Sequence, residues 1–307
     1  MADKCWSRRK ILQAVLGGMS LSSALFAHAQ QPGRRPRERS LADLERDAGG
    51  RLGVSVLDTA SGTSLAHRGD ERFGLCSTFK LLLAAVILRE ADRGRLKLDA
   101  LVDLAQSPMV PHSPVTRASM ERGRMSVAAL AQATQVESDN LAANLLLGLI
   151  GGPAGFTALL RETGDNTTRL DRLEPDLNFV PPGDLRDTTT PEAMAHSVAR
   201  LLTTNLLAPA ARDTLVDWMV MTQTGARRLR AGLPSDWRAG DKTGTGAADG
   251  MPDKINDVAI VLPPGRAPLV VAAYYESPVR SNAIRDQDQA VLGEVGRITA
   301  DWVNRRA

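Results

Sequence analysis

Ser77 and Lys80 stand at the head of Phe79-Lys80-Leu81-Leu82-Leu83-Ala84-Ala85-Val86-Ile87-Leu88. Apart from the lysine, that run is apolar around its whole circumference, and a helix of that kind is buried instead of lying on a surface. An ammonium taken out of water without a partner costs enough to lower its own pKa. On a helix, a spacing of three puts the serine hydroxyl and the lysine on one face. A hydroxyl beside a desolvated amine is an activated nucleophile. A plainer reading also fits the pair: Ser77 caps the helix and Lys80 snorkels to solvent. S-x-x-K is too short to decide between them.

Three further segments carry residues of the same chemical kind. Ser138-Asp139-Asn140 directly precedes the apolar run Leu141-Ala142-Ala143-Asn144-Leu145-Leu146-Leu147. Glu174-Pro175-Asp176-Leu177-Asn178 lies in a stretch dense in proline and charge, and Lys242-Thr243-Gly244-Thr245-Gly246 ends a strand-like segment. Each has an ordinary reading by itself: an N-cap, a solvated carboxylate and a polar strand end. His28, His67, His112 and His196 are isolated, with no H-E-x-x-H pattern and no Cys/His cluster, so a zinc mechanism has no ligands to draw on. No residue pattern asks for a cofactor.

The elements that must position these residues follow from periodicity and punctuation. A short amphipathic helix runs from about Ser40 to Ala48. Gly53–Asp58 alternates as a strand, and Ser61-Gly62 turns it into Thr63–His67, a hairpin. From Ser77 to about Met221 the pattern is helical: Ser77–Ala91, Ser126–Thr134, Asn140–Ile150 ending at Gly151-Gly152, a helix opened by Thr190-Pro191, and Pro209–Met221. Arg169 to Asp187 has no sustained period and reads as a long irregular loop, which inside a compact domain is usually functional or disordered. After Trp237 strands return at Arg238–Thr245, Asp257–Leu262 and Leu269–Tyr275, and a last helix covers Gln287–Asn304. Strands at both ends and helices between them imply an α+β fold. One antiparallel sheet is built from both termini and flanked by helices, and an all-helical subdomain is inserted. The expected division is a single domain over 40–307, with a sheet subdomain of 40–75 plus 222–307 and a helical subdomain of 76–221.

The totals exclude some function classes. The 307 residues are 43% hydrophobic and 24% charged with a net charge of +3, an ordinary soluble composition. Setting aside Lys4, Arg8, Arg9, Lys10 and Asp3 from 38 basic and 35 acidic residues leaves 34 of each. The remainder lacks the basic footprint of a nucleic-acid binder. Ser7-Arg8-Arg9-Lys10-Ile11-Leu12 reads as a twin-arginine signal, followed by a modestly apolar stretch to Phe26 and an Ala27-His28-Ala29 cleavage site. Gln13, Gly17, Gly18, Ser20, Ser22 and Ser23 dilute that stretch below what a lasting membrane anchor needs. The expectation is cleavage after Ala29, a flexible leader over 30–39, twin-arginine export machinery as the precursor's partner, and a periplasmic monomer. Cys5 leaves with the signal, so Cys76 is the one remaining thiol and no internal disulfide can form.

The order S-x-x-K, S-D-N, E-P-x-L-N, K-T-G resembles the signature of the class A serine β-lactamases. The resemblance runs from about Arg51 to the C-terminus. It includes Glu71-Arg72-Phe73, Arg169-Leu170-Asp171-Arg172 at the start of the loop and Arg186-Asp187-Thr188-Thr189 at its end. It implies a β-lactamase/transpeptidase-like fold and hydrolysis of penicillins and cephalosporins through an acyl-enzyme on Ser77, conferring β-lactam resistance. Lys80, or Glu174 through a water, takes the serine proton, and Ser138 passes a proton to the lactam nitrogen. Glu174 with Asn178 activates the deacylating water across a cis Glu-Pro bond. Asn140 receives the substrate amide, Lys242, Thr243, Gly244, Thr245 and Arg228 line the carboxylate side, and the backbone N–H groups of Ser77 and Thr245 form the oxyanion hole. Arg172 and Asp187 clamp the loop. No metal is implied.

Three departures stand out. In relatives with a cysteine matching Cys76, its disulfide partner stands where this chain has Gly246. The connection Ala247–Asn256 is longer than usual, and His112 stands where relatives place an aromatic gate. The alternative readings are a penicillin-binding DD-peptidase or transpeptidase acting on peptidoglycan, and a β-lactam sensor that acylates once.

Overall fold

The computed structural model describes residues 39–281 and 283–306. The expected signal (1–29) and all of the leader except Arg39 lie outside the described residues. Ser40 accepts from the Asp43 N–H and Asp43 bonds back to the Ser40 backbone, a capping box that starts α1 (Leu41–Ala48). β1 (Arg51–Asp58) and β2 (Ser64–His67) form the expected hairpin, and β3 is the short Phe73–Gly74. A 3₁₀ turn over Cys76–Thr78 leads into α2 (Phe79–Asp92), so Ser77 sits one short turn ahead of the helix in which the sequence places it. Next come β4 (Leu101–Asp103), α3 (Pro114–Ala118), β5 (Arg124–Ser126), α4 (Val127–Val136), α5 (Asn140–Leu149) and α6 (Gly152–Glu162). The Arg169–Asp187 loop carries only a 3₁₀ turn at Asp176–Asn178. β6 (Thr188–Thr189), α7 (Pro191–Thr203) and α8 (Pro209–Met221) follow it. A 3₁₀ turn at Leu229–Gly232 precedes β7 (Arg238–Gly246), β8 (Lys254–Leu262), β9 (Leu269–Glu276) and α9 (Asp286–Asn304).

The main sheet is antiparallel with strand order β2-β1-β9-β8-β7, closed from both ends of the chain as expected, and Lys242-Thr243-Gly244 lies on its edge strand. Side chains alternate across it. Val270, Ala272 and Tyr274 of β9 join the core shared with α2, α4 and α5, whereas Leu269, Val271, Ala273 and Tyr275 pack with α1 and α9. α3, α6 and the two-residue pairing of β3 with β6 are additions to the sequence reading. The β3–β6 pair ties the exit of the Arg169–Asp187 loop to the segment just before Ser77. Two residues are too few to show a period.

Two close approaches hold the site's floor. At Gly244 an added Cβ would lie 3.0 Å from Leu75 O and 3.1 Å from Thr78 N, so the missing side chain lets β7 run against the turn that carries Ser77. At Gly296 of α9 an added Cβ would lie 2.1 Å from Leu229 O, so α9 seats the turn that follows Arg228. Gly296→Ala is therefore expected to lose about 1–3 kcal/mol in urea unfolding, the cost of overpacking against backbone. Gly148→Ala in α5, where an added Cβ meets nothing within 4 Å, is expected to be neutral or to gain about 0.5–1 kcal/mol. A neutral Gly296→Ala would show that the α9 contact is looser than described.

Candidate active site

Neither plain reading of Ser77 and Lys80 survives in the fold. The turn at 76–78 and α2 both begin without a side-chain cap, and Ser77 Oγ instead donates to Glu174 Oε1 at 3.3 Å. Lys80 is fully buried. Its Nζ donates to Ser77 Oγ at 3.1 Å, Ser138 O at 2.8 Å and Asn140 Oδ1, and pairs with Glu174 Oε1 at 2.9 Å. Burial pushes the Lys80 pKa down, and the charge of Glu174 opposes that shift.

Ser138 is reached from two sides. Lys242 Nζ donates to its Oγ at 3.0 Å and to Thr243 O at 2.9 Å. Lys242 is buried too, and burial, helped by the positive charge of Lys80, brings its pKa down to about 7. Asp139 caps α5 by accepting from Ala142 N, and it also accepts from Val115 N, Thr116 N and Thr116 Oγ1. That one carboxylate fixes the 113–116 segment against the S-D-N turn. On β7, Thr243 Oγ1 shares a 2.7 Å hydrogen bond with Thr224. Arg228 comes from outside the sheet. Its guanidinium donates to Gly244 O at 2.9 Å, Asn256 O at 2.7 Å and Thr245 Oγ1 at 2.7 Å.

Glu174 is held at every polar atom. Asn178 Nδ2 donates to Oε2 at 2.6 Å, while Asn144 accepts from Glu174 N and donates to Glu174 O, both at 2.9 Å. The Glu174-Pro175 bond is cis, as expected. At the loop's base Arg172 Nε donates to Asp187 Oδ2 at 2.5 Å. Asp187 is fully buried and its Oδ1 also accepts from the backbone N–H groups of Asp171 and Arg172. The expected clamp is thus more than an ion pair.

Ser77, Ser138, Asn140, Glu174, Asn178, Arg228, Thr243 and Thr245 line one cavity of about 440 Å³, joined by His112, Thr224, Ile284 and Gln289. Lys80 and Lys242 lie behind it. A larger cleft of about 680 Å³, among Arg72, Asp165, His196 and Arg200, shares none of these residues. The sequence reading missed Asn144, Thr224, Ile284 and Gln289. Only Asn144 carried a signal, as the lone amide within the apolar face of α5. Left-handed φ values occur at Cys76 (45°), His112 (54°), Ser138 (57°) and Asp187 (54°). Of the five non-glycine residues in that costly region among the described residues, these four lie in or beside one cavity or its loop clamp and only Arg68 lies elsewhere, backbone strain of the kind that functional sites retain. Among the described residues, no three His, Cys, Asp or Glu side chains converge as metal ligands would.

The description "Beta-lactamase enzyme family" fits residues 36–303 of the chain. The chain belongs to the β-lactamase family. It is 43% identical to β-lactamase L2 of Stenotrophomonas maltophilia, over 95% of this chain and 97% of that one. It is also 43% identical to the carbapenem-hydrolysing β-lactamase KPC of Klebsiella oxytoca, over 85% and 86%. A solved ancestral class A β-lactamase superposes with a TM-score of 0.80 at 52% identity, covering 85% of this chain and 98% of that one. The chain is a class A member, with the α+β fold of that class.

Cys76 marks where this β-lactamase departs from its relatives with a paired cysteine. A Cβ placed on Gly246 would lie 2.9 Å from Cys76 Sγ, so Gly246 does occupy the facing position. The thiol is free and fully buried, and burial pushes its pKa up to about 12. The thiolate is the reactive form. Maleimide at pH 8, followed by peptide mass spectrometry, should leave Cys76 unmodified in the native protein and alkylate it after denaturation. Labelling in the native state would contradict this burial.

Proposed function

We propose that the protein is a serine hydrolase that opens the β-lactam amide of penicillins and cephalosporins and thereby confers resistance to them. The observation that carries this reading is Glu174, with one carboxylate oxygen shared between Ser77 Oγ and Lys80 Nζ and the other held by Asn178.

Ser77 Oγ attacks the lactam carbonyl carbon. Its proton goes to Lys80, whose neutral form burial makes accessible, or through a water to Glu174. The oxyanion is received by the N–H groups of Ser77 and Thr245, on the turn and the strand that pack against each other at Gly244, so donors are in place before charge develops. The C–N bond breaks as Ser138 gives its proton to the nitrogen. Lys242, at 3.0 Å from Ser138 Oγ, and Lys80, at 3.4 Å from it, return a proton to Ser138. Glu174 then removes a proton from a water that attacks the acyl carbon. The ester C–O bond breaks, and Ser77 recovers its proton.

Asn140 hydrogen-bonds the substrate's side-chain amide, and Lys242, Thr243, Thr245 and Arg228 take its carboxylate. Gly244 gives the β7 backbone room. Arg172 and Asp187 act by holding the loop: Asp187 is fully buried at its base and Arg172 is partly buried against it. The same proposal includes twin-arginine export with cleavage after Ala29 and action as a periplasmic monomer. It also keeps the division into a sheet subdomain (40–75 and 222–307) and a helical subdomain (76–221). The Arg8-Arg9 pattern and the Ala27-His28-Ala29 site support the first of these, and the main sheet's strands, all drawn from 51–67 and 238–276, support the division.

Mixed with a chromogenic cephalosporin, the protein should turn over many equivalents, and Ser77→Ala should abolish this. A burst that stops at one equivalent would overturn the hydrolase reading in favour of a sensor or transpeptidase.

A further inference from the structure

Arg228 reaches the cavity from a turn, not from the sheet, so something must fix where that turn puts it. Its guanidinium is buried and donates only to neutral acceptors, Gly244 O, Asn256 O and Thr245 Oγ1. The residue after Asn256 is Asp257, opposite Thr243 in the β7–β8 register and fully buried. Asp257 Oδ2 accepts the backbone N–H of Leu229, the peptide unit directly after Arg228, at 3.1 Å. Neighbouring β8 residues thus grip Arg228 at both ends, Asn256 at the guanidinium and Asp257 at the main chain. The next residue of the turn is held through its side chain: Arg230 Nε donates to Asp241 Oδ2 at 2.8 Å.

A carboxylate buried for a single backbone hydrogen bond is a poor device for stability. Close packing of α9 through Gly296 already seats the turn against the protein. What packing does not supply is direction at the one peptide that aims Arg228. Burial and the nearby charge of Asp241 push Asp257 well above the usual carboxylate range, so an amide at this position is a close mimic of it.

We infer that Asp257 is the positioning residue for Arg228, and through it sets recognition of the substrate carboxylate. The inference rests on the proposed role of Arg228. Two substrates separate the possibilities: a carboxylate-bearing cephalosporin and its methyl ester. Asp257→Ala should raise KM for the acid by roughly tenfold or more, with kcat within about twofold and KM for the ester unchanged. Asp257→Asn keeps a carbonyl oxygen for the Leu229 N–H and should behave as the native protein. Arg228→Ala should give the same split between acid and ester, and adding Asp257→Ala to it should cost little more.

If Arg228→Ala shows no split, the proposed role of Arg228 fails. If Arg228→Ala shows it and Asp257→Ala does not, the inference is overturned. An equal rise for acid and ester would make Asp257 merely structural, and an acid-specific rise in Asp257→Asn would contradict the hydrogen-bond account. Should Asp257→Ala not fold, Asp257→Val fills the volume on the strand and carries the same test.

Discussion

Burying the Lys80 ammonium is the constraint on which the rest of the site depends. It stands on a helix that has no polar face of its own, so every partner must arrive from elsewhere in the chain. Ser77 comes from the preceding turn, Ser138 and Asn140 from the start of α5, and Glu174 from a loop nearly a hundred residues away. Losing one partner would leave a buried charge short of compensation, which is strongly destabilising. The requirement for partners therefore brings together the groups proposed to react. The same burial lowers the lysine's proton affinity toward the range where it can both take and return a proton.

The partners are themselves held by carboxylates and amides that serve several backbone groups at once. Asp139 fastens the S-D-N turn to the 113–116 segment, Asp187 closes the loop that carries Glu174, and Asn144 brackets the Glu174 peptide. Asp139 follows the left-handed Ser138, and Asp187 is itself left-handed. Strain of this kind persists only where the surroundings over-determine it. On the opposite wall the sheet edge and α9 do the equivalent work for Arg228, with backbone contacts so close that a side chain at Gly296 would clash and one at Gly244 would push its neighbours aside.

Most of the fold was legible because its elements are long and well punctuated. Pro209–Met221 was readable to the residue, and the hairpin, the closing strands and the last helix within a few. Losses came where a pattern is too short or a contact too remote. β3 and β6 have two residues each. α6 begins at Gly152, just after a glycine that reads as the end of the previous helix. The groups proposed to be catalytic were legible as four ordered motifs, since their residue types are unusual where they stand. Thr224, Ile284 and Gln289 were not, because an ordinary polar or apolar side chain reveals nothing until folding brings it to a cavity wall. Ser77 shows the subtler failure. Its spacing from Lys80 suggested a shared helix face, whereas a 3₁₀ turn delivers the same contact from outside the helix.

The central claim is that Glu174 separates a hydrolase from a protein that is acylated once. Intact-mass measurement of Glu174→Ala after mixing with a good penicillin tests it most directly. The account predicts a stable adduct of the whole penicillin on Ser77, with turnover lowered by about 10²- to 10⁴-fold. Undiminished turnover with no adduct would contradict it.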